Sequence, residues 1–222
     1  MNRRPFIVIG IAIVAFMTLV SVWAWLQLPA DAQVPIHFGL NGTANRYAGK
    51  TVGLFLSPAI AAGILVVLAV IPAVEPRAEH LARSGPAYTA VTVAVLGFLA
   101  LTHLTAVASA LGSDIDVMQP ISLGLGVVLL IMGNYLGKVR SNYLFGIRTP
   151  WTLTSERAWA RTHRSGGRLF ALEGLLMIAG TFVLPAGWLI ALLVGGIVLV
   201  SVVLVIYSYS VWRTDPDRQT GP

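Results

Sequence analysis

The sequence predicts an all-α protein: a polytopic transmembrane helical bundle of about six spans, with both termini cytoplasmic and a small extracellular hairpin between spans 1 and 2. Three observations predict it. Apolar residues make up 56% of the 222 and charged residues only 11%, whereas a water-covered surface needs roughly a quarter charged. Apolar runs recur at close to the roughly 20 residues that a helix needs to cross a hydrocarbon core. The basic residues fall almost entirely on one side of the topology that these runs define.

The first run, 6–28, follows Arg3 and Arg4. It is longer than a signal-peptide core and closes on Trp23, Trp25 and Leu28, not on small residues, so it reads as a retained span. The loop 29–51 contains an extended stretch, Val34 to Phe38, because Pro35 disfavours helix before it. Asn41-Gly42 is a strong turn signal, and a small hairpin follows. Further spans are expected at 52–74, 87–111, 118–136, 169–184 and 187–212. The fifth is short and reads with the sixth as a helical hairpin turned at Pro185-Ala186-Gly187. Three units result: a two-span unit over 1–86 with its outer loop 29–51, a four-span unit over 87–212 with a basic loop 138–168, and a polar tail, 213–222.

With the N-terminus inside, the inner side receives Arg3, Arg4, Arg77, Arg83, Lys138, Arg140, Arg148, Arg157, Arg161, Arg164, Arg168, Arg213 and Arg218. The outer side keeps Arg46 and Lys50, which completes the 15 basic residues. This asymmetry orients the chain and places it in the cell membrane. It also assigns the net charge of +6 to anionic lipid headgroups, so direct nucleic-acid binding is not expected. Asp114 and Asp116, in a turn without basic residues, suit the outer side. The chain has no cysteine, which excludes disulfides, thiol nucleophiles and Cys-ligated zinc. His37, His80, His103 and His163 are too dispersed to form a metal site. No Gly-x-Ser-x-Gly, P-loop or His-Glu-x-x-His motif occurs, so neither enzymatic activity nor a cofactor is expected.

Within the basic loop, Thr154 is the expected N-cap of a short helix ending at Gly166. On it Arg157, Arg161, Arg164 and Arg168 form one stripe, and Trp159 and His163 another. Such a helix suits the headgroup layer, either as an anchor or as a docking surface for a protein or anionic ligand. Three polar side chains are costly in the spans: Glu173, His103 and Asn134. Glu173 is expected to pair with Arg168, Lys138 or Arg140, or else to serve as a proton or ligand site. His103 is expected to hydrogen-bond to a neighbouring helix. Gly124, Gly126, Gly195 and Gly196 permit close helix contacts.

The run Gly133-Asn134-Tyr135-Leu136, then Asn142-Tyr143 and Gly146-Ile147-Arg148-Thr149-Pro150-Trp151-Thr152-Leu153, then Trp159, Thr162-His163 and Gly166-Gly167 resembles the signature of the SdpI family. These are bacterial membrane proteins named for immunity to a secreted killing factor. In the outer loop, Pro35-Ile36-His37-Phe38, Gly42-Thr43-Ala44-Asn45 and Gly49-Lys50 resemble the small domain of unknown function that commonly precedes that signature. The resemblance implies immunity to, or sensing of, a secreted peptide toxin outside, with signal transduction to a cytoplasmic repressor or other protein inside. Its site residues would be Asn134, Asn142, Gly146, Arg148, Thr149, Pro150, Trp151, Thr152, Trp159, Thr162, His163 and Gly167, with Pro35, His37, Gly42 and Lys50 in the outer loop. Trp151 and Trp159 would anchor the output surface. The competing expectation is a small transporter or lipid-handling membrane protein, with Glu173 and Asn134 lining a path between helices; a third is a purely structural membrane component.

Overall fold

The computed structural model describes residues 4–39 and 42–218; Arg3 and the Asn41 half of the expected turn lie outside them. The elements run α1 (Arg4–Gln27), β1 (Gln33–Phe38), β2 (Ala44–Gly49), α2 (Lys50–Val74), α3 (Ala78–Arg83), α4 (Gly85–Ala110), α5 (Met118–Leu136), α6 (Pro150–Leu153), α7 (Glu156–Gly180) and α8 (Ala186–Arg213).

Among the described residues five helices, α1, α2, α4, α5 and α8, are long and apolar enough to cross a membrane. Their apolar side chains turn outward as well as inward: only 17% of the most apolar stretch of α8 is buried, and Leu19, Val66 and Leu199 are exposed. Water would penalise that surface by about 25 cal/mol per Å2, and a bilayer does not. The chain is therefore a multi-pass helical membrane protein.

The fifth expected span, 169–184, takes a different form. The short loop helix and the span after it are one continuous helix, α7, whose first half carries all four arginines of the stripe. Its apolar part begins at Leu169 and reaches Gly180, about 18 Å of helix. Gly166-Gly167, read from sequence as a terminus, is instead a crossing point with α5. A β-carbon on Gly167 would lie 2.6 Å from the Gly133 carbonyl oxygen, and one on Gly174 would lie 2.6 Å from that of Gly126. The glycines let the two backbones approach closely, and that packing outweighs their poor helix propensity of about 1 kcal/mol each. The cap also shifts by one residue. The Ser155 side chain accepts from the Ala158 N–H, whereas the Thr154 hydroxyl donates back to the Pro150 carbonyl.

The hairpin forms as the sequence suggests, with β1 and β2 antiparallel and Val34 opposite Ala48. Val34 is buried against Ala24, Leu54 and Val107, which ties the hairpin to α1, α2 and α4. At the opposite end, Phe6, Tyr88 and Phe145 meet edge to face, with ring centroids 5.5 Å and 5.9 Å apart. Asp215, beyond α8, binds Ser155 there. The start of α1, the end of α8 and the 138–155 loop therefore share one end of the bundle. The helices α3 and α6, absent from the sequence expectation, both lie at this loop end.

Candidate functional site

The loop between α5 and α7 has almost no regular structure, so its shape comes from side chains that replace backbone partners. Asn142, fully buried, accepts from the Leu144 and Phe145 N–H groups at 2.9 and 2.8 Å and donates to the Arg140 carbonyl. A short polar side chain bonding its own local backbone stabilises a turn in this way. Thr149 and Thr152 cap α6 reciprocally, and the Thr149 hydroxyl reaches Ser208 of α8 at 3.2 Å. Trp151, half-buried, packs edge to face on Tyr209, 5.2 Å away.

The loop is pinned to α7 through His163. Its Nε2 accepts the Ile147 N–H at 3.0 Å and its Nδ1 donates to the Trp159 carbonyl at 2.9 Å. One ring nitrogen accepting and the other donating defines the neutral tautomer. Burial pushes the imidazole down to about 4. The Trp159 ring stacks on it at 4.0 Å, and the indole N–H donates to the Val139 carbonyl at 2.8 Å. This corrects the expectation of an aromatic stripe in the headgroup layer. Trp159 and His163 are 1% and 0% exposed and face protein, because the loop folds back over them. Trp159 is thus a core residue and not a surface anchor. Thr162, equally buried, has no hydrogen-bond partner for its hydroxyl among the described residues.

Residues outside the loop hold its other side. Glu75 accepts from the Arg77 and Tyr143 N–H groups at 3.0 and 3.2 Å. The Arg77 guanidinium donates to Ser141 and to the Tyr143 hydroxyl, and lies 4.6 Å from the Tyr143 ring centroid. Ser155 donates to Asp215, and that bond, more than the nearby Arg157 and Arg218, holds the Asp215 carboxyl below its usual value. Glu75, Arg77, Ser155, Ser208 and Asp215 carry no motif that sequence reasoning could use. Glu75 was legible only as an acid where the second apolar run ends.

The exposed face of this end is cationic. Arg157, Arg161, Arg164 and Arg168 all point outward from α7, as their spacing predicts, and Arg148 is exposed with its guanidinium on the Tyr143 carbonyl at 2.6 Å. Pro150, at the start of α6, is exposed too, and Asn134 is exposed near the end of α5. Under the loop lies an apolar cavity of about 200 Å3, lined among others by Met132, Tyr135, Phe145, Ile147 and Phe170.

Inside the bundle, His103 bonds Ser21 of α1 at 3.1 Å and the Met17 carbonyl at 3.2 Å, as the sequence suggests. Glu173 does not pair with Arg168, Lys138 or Arg140. It is 4% exposed, neither carboxyl oxygen has a hydrogen-bond partner among the described residues, and a β-carbon on Gly196 of α8 would touch it at 2.6 Å. The reason is helical phase: Glu173 turns toward α8, while Arg168 turns outward. In the hairpin, Pro35 is buried, His37 donates to the Asn45 amide oxygen at 2.6 Å, and Gly42 takes a φ of +78°. Lys50 donates to the Leu28 carbonyl and lies 4.3 Å from the Trp25 ring centroid. Among the described residues no group of three or more His, Asp or Glu is placed to hold a metal ion.

The loop together with α7 and most of α8 decides the relationship: residues 138–208 match the SdpI/YfhL protein family. That stretch is similar to the family. Residues 12–62, which include β1 and β2, match a domain of unknown function, DUF1648, in the order the resemblance implies. Immunity protein SdpI of Bacillus subtilis (strain 168) is 23% identical over 206 residues, covering 93% of this chain and 95% of that protein. No solved structure matches the chain. The matched segment contains the His163 and Asn142 networks and Ser208. Glu75 and Arg77, which brace it, precede it, and Asp215 follows it.

Proposed function

We propose that this protein gives its cell membrane immunity to a secreted peptide toxin, or senses one, with the hairpin end outside and the SdpI loop in the cytoplasm. The observation that carries the reading is the SdpI loop itself, folded through Asn142 and His163 into a bonded cap on the bundle that presents Arg148 and the α7 arginines to solvent. The likeness to an immunity protein along nearly the whole chain supports the same reading. Thirteen of the 15 basic residues then face the cytoplasm, as the positive-inside rule requires. The hairpin and nearby helix ends meet the toxin. The cationic face is the output surface for a cytoplasmic repressor or another acidic partner.

Challenge of a sensitive host with the toxin, with and without this gene, tests the role directly. Protection is expected with the native protein and is lost in Arg148→Ala, whose guanidinium is exposed, while membrane insertion is retained. Equal protection by that variant removes the loop from the output role. Labelling of 142–168 from outside intact cells would overturn the orientation.

A second reading has its own observation, the unpartnered carboxyl of Glu173. A buried carboxylate without a partner costs several kcal/mol, so the site suits a proton or a cationic ligand moving between α7 and α8. Flux into proteoliposomes that disappears in Glu173→Gln supports a transporter, and flux that is absent from the native protein rejects it.

A further inference from the structure

Where α5 and α7 cross, their glycines leave a groove at the loop end of the bundle. It is about 340 Å3, lined by Gly133, Asn134, Gly137, Lys138, Arg164, Gly167, Arg168 and Ala171. Three of these residues are cationic and none is acidic. All three cations are exposed, and no carboxylate is bonded to any of them among the described residues. Lys138 lies 4.7 Å from the Tyr135 ring centroid, and the Arg164 Nε–H donates to the Ala160 carbonyl, which leaves the terminal guanidinium nitrogens of Arg164 free. Gly137 keeps the groove wide, because a β-carbon there would crowd the Arg164 side chain at 3.3 Å.

The groove does not end in water. One turn further along α7 from Arg168 come Leu172, Leu175 and Leu176, each about half exposed at 54%, 53% and 48%. On α5, Val127 is exposed seven residues before Asn134 and so on the same face. A cationic head pocket is thus continuous with an apolar strip along two helices.

From this juxtaposition we infer that the α5–α7 groove binds one anionic phospholipid. Its phosphate sits among Lys138, Arg164 and Arg168, and an acyl chain lies along Leu172, Leu175 and Leu176. A free anion would use the cations and leave the strip unused. A neutral lipid would cover the strip and leave three charges unmatched. Arg guanidinium suits phosphate by offering paired N–H donors. The inference rests on the membrane setting of α5 and α7 and not on the immunity reading, so its test is independent of toxin protection.

The full chain, purified in neutral detergent, is titrated with phosphatidylglycerol, phosphatidylcholine or inorganic phosphate, with thermal unfolding and native mass spectrometry as readouts. One phosphatidylglycerol is expected to bind and raise Tm; phosphatidylcholine and phosphate are expected to do neither. Substituting Lys138→Gln, Arg164→Gln and Arg168→Gln together weakens binding by on the order of 100-fold, a factor of about five for each cation. Arg157→Gln with Arg161→Gln, outside the groove, leaves it within about threefold. Arg168→Gln alone keeps the test valid if the triple variant fails to fold. Equal binding of the two lipids, an equal effect of phosphate, or unchanged affinity in the groove variants overturns the inference.

Discussion

Gly146 stands directly against His163: a β-carbon at position 146 would lie 2.5 Å from the imidazole Nε2. The same glycine has a φ of +115°, a region that L side chains rarely adopt. Backbone conformation and side-chain space therefore demand glycine at one position, where the loop closes over α7.

Gly146→Ala is expected to destabilise the protein by about 2 kcal/mol or more, from strain and the displaced ring together. Thermal unfolding in detergent should show a lower Tm, with the loss of the Ile147–His163 bond as its cause. An unchanged Tm would show that the loop tolerates another path.

His163 predicts a pH dependence. Its folded value, about 4, lies below the ordinary 6.5, so between these values the unfolded chain binds more protons. Stability from this residue is complete above about pH 6.5 and declines as pH falls toward 4, by about 3 kcal/mol in total. The slope of stability against pH in that window should flatten in His163→Gln. If the slopes match, the residue is not held neutral by the fold.

The α5–α7 crossing separates glycines that matter from those that do not. Gly167→Ala drives a methyl into the Gly133 carbonyl, whereas a β-carbon on Gly97 of α4 meets nothing within 4 Å. Gly167→Ala should lower Tm by several degrees, from about 1–3 kcal/mol of overpacking. Gly97→Ala should be neutral or stabilising by a few tenths of a kcal/mol. The reverse order in a detergent melt would refute this packing.

Asp215 ties the segment after α8 to the start of α7 through Ser155. Its lowered carboxyl value means that this tie is present above its ordinary value near 3.8 and is lost as pH falls through the lowered one. Asp215→Asn should expose residues 214–218 to faster limited proteolysis at neutral pH. Cleavage at the native rate would mean that the bond does not restrain the segment.

Much of this architecture was legible in the sequence because the signals are local and repetitive. Five of the expected spans fall within about two residues of α1, α2, α4, α5 and α8, and the four arginines that their spacing sets on one stripe of α7 are all exposed. Two kinds of reading failed. Gly166-Gly167 looks like a helix end by propensity, yet a helix passes through it because α5 lies against it. Trp159 and His163 look like an interfacial stripe, yet the 138–155 loop covers them. Neither neighbour is visible in a stretch of sequence. Glu173 fails likewise: an acid five residues from an arginine suggests a pair, but helical phase turns the two apart.

By itself the sequence determined that lipid surrounds this chain, where five of its long helices run and which residues its SdpI-like segment carries, because hydropathy and charge act residue by residue. Only the tertiary structure decided which side chains the cap buries. It also decided that the segment is braced by Glu75, Arg77 and Asp215 from outside its own bounds, and that three cations share a groove with an apolar strip. Those relations depend on how helices cross, and close packing between distant segments leaves no periodicity to read.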